Sequence, residues 1–234
     1  MKSKMCLYAP DEGLTVQRAP DSITATAIVM KNSASIFIVV IFGLCGCATN
    51  HFKDYSGQPF QDSRYPGGPQ SIPGRVQCAY YDLGGEGVAY HVADTANNGS
   101  GKLNPADGTY LNEFRMHENV STSYTKFHRT EVIDDNPYDL VRPPENQLYV
   151  GWTQPGEWFN LTVDVDHAGI YTVDLLYTSN RGGKIALEDN GKRLAPDINI
   201  ISTKNTNDPV AWRQWHHWNI MTNIARVKLP AGKC

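Results

Sequence analysis

The stretch "GWTQPGEWFNLTV", Gly151 to Val163, decides the fold class. From Glu157 onward the residues alternate. Phe159, Leu161, Val163 and Val165 fall on one side, and Trp158, Asn160, Thr162 and Asp164 on the other. A period of two over this length is the pattern of a strand with one face in a core. Trp152 stands before that strand, in a turn bounded by Gly151 and Pro155, where a large flat ring has no core to enter. It is either a packing group or a surface on which something flat stacks.

The same alternation resumes after a turn at His167, Ala168 and Gly169, with Tyr171, Val173, Leu175 and Tyr177 on one face. "GGKIALEDNGKRL", Gly182 to Leu194, reads as a hairpin. Asn190-Gly191 is the favoured pair for a two-residue turn whose central positions both need positive φ. Trp212 to Ile220 and Ile224 to Leu229 predict two further strands, and Val76 to Tyr81 and Gly87 to His91 two more upstream. Between Asn97 and Asn146 the pattern fails. "DDNPYDLVRPPENQ" carries three prolines that break any ladder, so this region reads as loops with one or two short strands. Short strands, turn signals between them and the lack of an amphipathic helical stretch predict an all-β protein, a β-sandwich.

The N-terminal part of the 234 residues reads differently. "IFIVVIFGL", Ile36 to Leu44, is uncharged, has the length of a signal-peptide core and is too short to span a bilayer. Leu44, Cys45, Gly46 and Cys47 resemble the bacterial lipobox, in which the final Cys is lipidated and becomes the mature N-terminus. Met30 precedes Lys31, so residues 30–46 read as the signal peptide and residues 1–29 as an upstream extension outside the fold. Residues 47–74, dense in Gly, Pro, Ser and Gln, read as a solvated tether, with the sandwich over 75–234. The expectation is an exported protein, either secreted or anchored by a lipid on Cys47 without spanning the membrane.

Net charge is −3 with no basic stripe, which argues against nucleic acid as a partner. Of five cysteines, Cys78 and Cys234 remain once the leader is set aside. A disulfide between them is sterically open in an exported protein, but spacing alone does not support it.

Three chemistries are open to these residue types. A glycosidase needs two carboxylates roughly 5 to 10 Å apart, and no spacing among Glu86, Asp94, Glu113, Glu118, Glu157 and Asp164 selects a pair. Nucleophile, metalloprotease and phosphate-loop motifs are missing, so nothing points to an enzyme. His216 and His217 are adjacent, and on a strand they face opposite ways, which rules out one shared ion; His117 and His128 are isolated. Aromatic residues are the informative class. "AWRQWHHW" on a strand places Trp212 and Trp218 on one face and Trp215 on the other, so at least one ring lies outside the core. Indole faces stack on the apolar faces of sugar rings.

"YYDLGGEGVAYH", then "YVGWTQPGEWFNLTVDVDHAGIYTVDLLYTSNRGGKIALEDNGK", then "WRQW" occur in the order seen in family 6 carbohydrate-binding modules, and the chain resembles them from about Arg75 to Gly232. These are non-catalytic galactose-binding-like jelly-roll sandwiches attached to bacterial polysaccharide-degrading enzymes. The resemblance implies a ligand cleft among loops at the sandwich edge. Trp152 and Trp212 would grip one sugar ring there, His91 would join them as the polar group, and Trp215 would be left to packing. It implies a polysaccharide partner of the xylan, β-glucan or algal galactan class. It also implies a structural calcium, but here the first-strand positions hold Gln77 and Ala79, and Ala79 cannot ligate; Gln77 alone remains as a weak candidate. Val92 and Ala93 follow His91 where the family tends to carry Asp and Thr. The pattern stops at "LPAGKC", before the family's last strand, which predicts an unpaired ladder edge beyond Leu229 and an incomplete core. Two rival readings stay open: a fragment of a glycoside hydrolase whose catalytic domain lies elsewhere in the gene, and a structural lipoprotein that has lost sugar binding.

Overall fold

The computed structural model describes residues 23–32, 55–127 and 133–233. Strands β1 (Ile23–Asn32), β2 (Gln70–Ile72), β3 (Gly74–Gln77), β4 (Tyr90–His91) and β5 (Thr122–Tyr124) are followed by β6 (Leu148–Val150), β7 (Trp158–Phe159), β8 (Val163–Val165) and β9 (Gly169–Ser179). Then come β10 (Gly183–Ile185), β11 (Glu188–Asp189), β12 (Lys192–Arg193), β13 (Ile198–Ile200), β14 (Asn219–Leu229) and β15 (Gly232–Lys233). The larger sheet runs β14-β9-β1-β6-β5, with β3 also paired to β1. Smaller sheets are formed by β15-β8-β2, β4-β7, β10-β13 and β11-β12. The protein is all-β, and residues of the larger and smaller sheets share one buried cluster, as a sandwich requires.

The deciding stretch keeps its alternation on the apolar side: Phe159, Leu161, Val163 and Val165 are all buried. The polar side is not all solvent-facing. Thr162 gives its N–H and hydroxyl to Asp82, and Asn160 donates to the carbonyls of Ala89 and Val88, so the 82–90 segment covers both. Chain pairing thus breaks between β7 and β8. On β9, Tyr171, Val173, Leu175 and Tyr177 are each fully buried, and the residues between them become buried too toward Ser179, because β9 is central. The Asn190-Gly191 turn closes β11 onto β12 with φ of 52° and 74°.

Several expectations are corrected. The strand expected over Val76 to Tyr81 ends at Gln77 and coils into a 3-10 turn, Cys78–Tyr80. Consecutive Cys78 and Ala79 are both buried, which a strand cannot do on a single core face. Of Gly87 to His91, only Tyr90–His91 is a strand. The strand expected from Trp212 begins at Asn219, because Asp208 accepts from the Val210 N–H and from the Arg213 side chain, drawing Ala211–Arg213 into a 3-10 turn. From Tyr55 the expected tether is docked: Phe60 and Ile72 are buried and β2 runs parallel to β8. Single anchors hold it, with Phe60 stacked on Tyr80 at 5.0 Å and Tyr65 tilted against the same ring at 4.5 Å, and such anchors leave no periodic signature.

The largest departure is β1, placed by sequence partly in an upstream extension and partly in a leader. It lies inside the larger sheet, antiparallel to β9 from Ile23 opposite Ser179 to Asn32 opposite Tyr171. Ala27 to Met30 also pair with β3, and Ala25 with β6. β14 stands at the end of its sheet, paired among the described strands with β9 alone, so the edge expected beside Leu229 is there. Cys78 is a free, buried thiol rather than half of a disulfide. Cys47, Cys45, His128 and Cys234 lie outside the described residues.

Candidate functional site

Trp152 follows β6 with φ of 57°, in the left-handed region. That conformation is rare for a bulky residue and costs of order 1–3 kcal/mol, so the surroundings must hold it. They do so from two directions. One part of the half-buried indole packs on the cluster of Tyr149, Leu176 and Trp218. Gly99 lies against it on another side: a Cβ there would sit 3.3 Å from the indole and 1.9 Å from the Thr122 carbonyl oxygen, so only glycine fits. Asn97 fixes that loop, its Oδ1 accepting from the N–H groups of Gly99, Ser100 and Thr122.

A carboxylate frame surrounds the turn after Trp152. Glu157 accepts from the N–H groups of Ala93 and Gln154, both at 2.9 Å. Burial, more than the opposing hydrogen bonds, pushes its carboxyl up to about 7. Asp94 accepts from Asn98 at 2.8 Å and from the Gln154 side chain at 3.0 Å, tying the two loops together. Asp94 thus supplies polar groups where Val92 and Ala93 offer none. The same loops open a groove of 460 Å³ lined by Asn97, Lys102, Met116, His117, Glu118 and Asn119, among others. Glu118 is held there by Arg115 and by the Tyr81 hydroxyl, both at 2.9 Å.

Trp212 sits on the 3-10 turn with 46% of its surface exposed. Its turn is stiff: Arg213 Nε donates to Asp208 at 2.7 Å, and His217 Nε2 meets the same carboxylate at 3.0 Å. Hydrogen bonds from Arg213 hold the buried Asp208 carboxyl well below the ordinary carboxylate range. His216 and His217 do face different partners, Asp134 and Asp208. Trp215, expected to be the packing residue, is only half-buried; the fully buried indole is Trp218, whose Nε1–H donates to Asp134 at 2.8 Å.

His91 is exposed, with Nδ1 at 2.5 Å from Glu86 Oε1 and its ring 6.3 Å from that of Trp158. Strand pairing of β4 with β7 sets His91 opposite Trp158. His91 is therefore grouped with Glu86 and Trp158. Its neighbour Val92 and the Trp158 neighbour Glu157 turn the other way, toward Trp152. Sequence reasoning missed the place of Trp158 and the joining role of Asp94 with Gln154. The motif "WTQPGEW" contained Gln154 and Trp158, but their partners Asp94 and His91 lie some sixty positions upstream.

The calcium position does not fit a cation. Gln77 and Gln147 pair through their side-chain amides, Gln70 Oε1 accepts from the Gln77 N–H, and the Arg75 guanidinium lies 3.4 Å from Gln147 Oε1. Gln77 thus spends its carbonyl oxygen on an amide, beside a fixed positive charge. No cluster of three or more His, Cys, Asp or Glu suited to a metal occurs among the described residues.

No protein-family model matches the chain, and comparison with curated proteins finds no match.

Proposed function

We propose that this chain is a non-catalytic polysaccharide-binding module, a galactose-binding-like jelly roll of the family 6 type, that stacks sugar rings on exposed indole faces. The observation that carries the reading is Trp152: a large aromatic residue kept in a left-handed backbone conformation, with part of its ring outside the core. Strain retained in a folded chain marks positions where geometry matters more than stability. Trp212, exposed on a turn stiffened by Asp208, supplies a second flat face, and Asp94 and Gln154 supply hydrogen-bonding groups near the first, while His91 stands apart with Glu86 and Trp158. Xylans, β-glucans and algal galactans are the ligand classes of choice. Export with a lipid on Cys47 belongs to the same reading and would hold the module at a bacterial envelope.

Calorimetric titration of the full chain with soluble xylan, β-glucan and galactan tests this. One class should bind, and Trp152→Ala and Trp212→Ala should each abolish the heat. Binding undiminished in both variants would mean that neither ring touches the sugar.

A further inference from the structure

The larger sheet depends on β1. Among the described residues it is the only ladder that joins the β14–β9 pair to β3, β6 and β5. Without it, β9 would present a row of unpaired N–H and C=O groups along Tyr171 to Ser179, a segment whose side chains are mostly buried, and β3 would present another. Met30 fills the slot: it lies in register with Val173 on one side and Gly74 on the other, at 3% exposure. Yet no hairpin ties β1 to a neighbour in sequence, since its partners are β3, β6 and β9. In chain order β1 comes first, before Ile36 to Leu44 and before Cys47. A single cut between Asn32 and Tyr55 severs it without breaking any other described element.

We propose that the slot between β9 and the β3 and β6 edges is a strand-acceptor site, and that Ile23–Asn32 is its exchangeable donor strand. Once the chain is cut between these points, the donor stays by non-covalent pairing and is replaced by the same segment on a second copy of the chain. Recognition is by strand addition: main-chain hydrogen bonds to both edges give affinity, and the buried Met30 position gives register. The exchange itself does not depend on lipidation or on sugar binding.

The test uses the full chain carrying a protease recognition sequence at residues 48–53, cut after purification. The two pieces should co-elute, and the melting temperature of the cut protein, unlike that of the uncut protein, should fall on dilution. A fluorescein-labelled peptide of Ile23–Asn32 should enter the cut protein to one equivalent and leave the uncut protein unlabelled. Peptides carrying Ile28→Pro, which removes a central ladder donor, or Met30→Lys should not enter at the same concentration. If the cut protein aggregates, excess parent peptide should prevent it and the Ile28→Pro peptide should not. The proposal is overturned if the N-terminal piece leaves a body that keeps the uncut melting temperature, if the parent peptide enters no better than the Ile28→Pro peptide, or if aggregation is indifferent to both. Neither glycan nor membrane is present, so any of these failures leaves the sugar-binding and Cys47 readings standing.

Discussion

Asp134 and Trp218, 84 positions apart, are joined by a 2.8 Å hydrogen bond from the indole Nε1–H to Oδ1, and His216 Nε2 meets the same oxygen at 2.7 Å. The other oxygen accepts from the Lys126 N–H at 2.7 Å, so a fully buried carboxylate has every partner it needs. This one side chain ties the 133–141 loop to the segment that carries Trp212, and Trp218 in turn supports Trp152.

Removing that carboxylate leaves several buried donors without an acceptor. Asp134→Ala is expected to destabilise the protein by ~3–5 kcal/mol, the range for breaking a buried charged pair. Asp134→Asn should cost less, since it keeps an acceptor oxygen. Urea unfolding followed by tryptophan fluorescence measures both, and equal stability of Asp134→Ala and parent would show that the network contributes nothing.

The Trp residues divide by burial. Trp212→Ala should leave the unfolding midpoint within about 0.5 kcal/mol of the parent, as exposed substitutions do, while removing glycan binding. Trp218→Ala should cost ~3–5 kcal/mol, the range for deleting a fully buried ring. Paired denaturation and titration experiments separate the two; a large loss of stability in Trp212→Ala would mean its ring packs rather than binds.

Glu157 makes stability fall with rising pH. Its folded value of about 7 lies above its ordinary value of 4.5, so between these the folded state binds the extra proton and the unfolded state does not. The favourable contribution is therefore complete below 4.5 and lost as pH rises through 7, on the order of 1–3 kcal/mol. Burial raises Asp82 and Asp139 in the same sense. Asp208 has the opposite sign, and its contribution declines on acidification below the ordinary carboxylate value. Melting temperatures of parent and Glu157→Gln from pH 4.5 to 8 give the check: the variant should show a shallower decline.

Cys78 should be inert in the folded protein. Its thiol is fully buried and pushed up to about 12 by desolvation, which leaves almost no thiolate to react at neutral pH. A thiol reagent such as DTNB should label Cys78 at the rate of unfolding, accelerating with added urea. Rapid labelling in native buffer would place the side chain at the surface.

By itself the sequence determined the local β geometry. The alternation at Phe159, Leu161, Val163 and Val165 and at Tyr171 to Tyr177 is legible because a strand's faces repeat every two residues, and Asn190-Gly191 is legible because few residues accept positive φ. It also singled out Trp152, but the core that part of its ring meets, at Tyr149, Leu176 and Trp218, was not legible there. Only the tertiary structure decided where non-local partners meet. Ile23–Asn32 carries no register of its own, since its place is set by the edges of β9 and β3 that it completes. Phe60 and Ile72 look like tether residues until Tyr80 and β8 come to face them. The 3-10 turn that exposes Trp212 exists because Arg213 and His217 converge on the Asp208 carboxylate, a side-chain geometry that no periodic pattern announces.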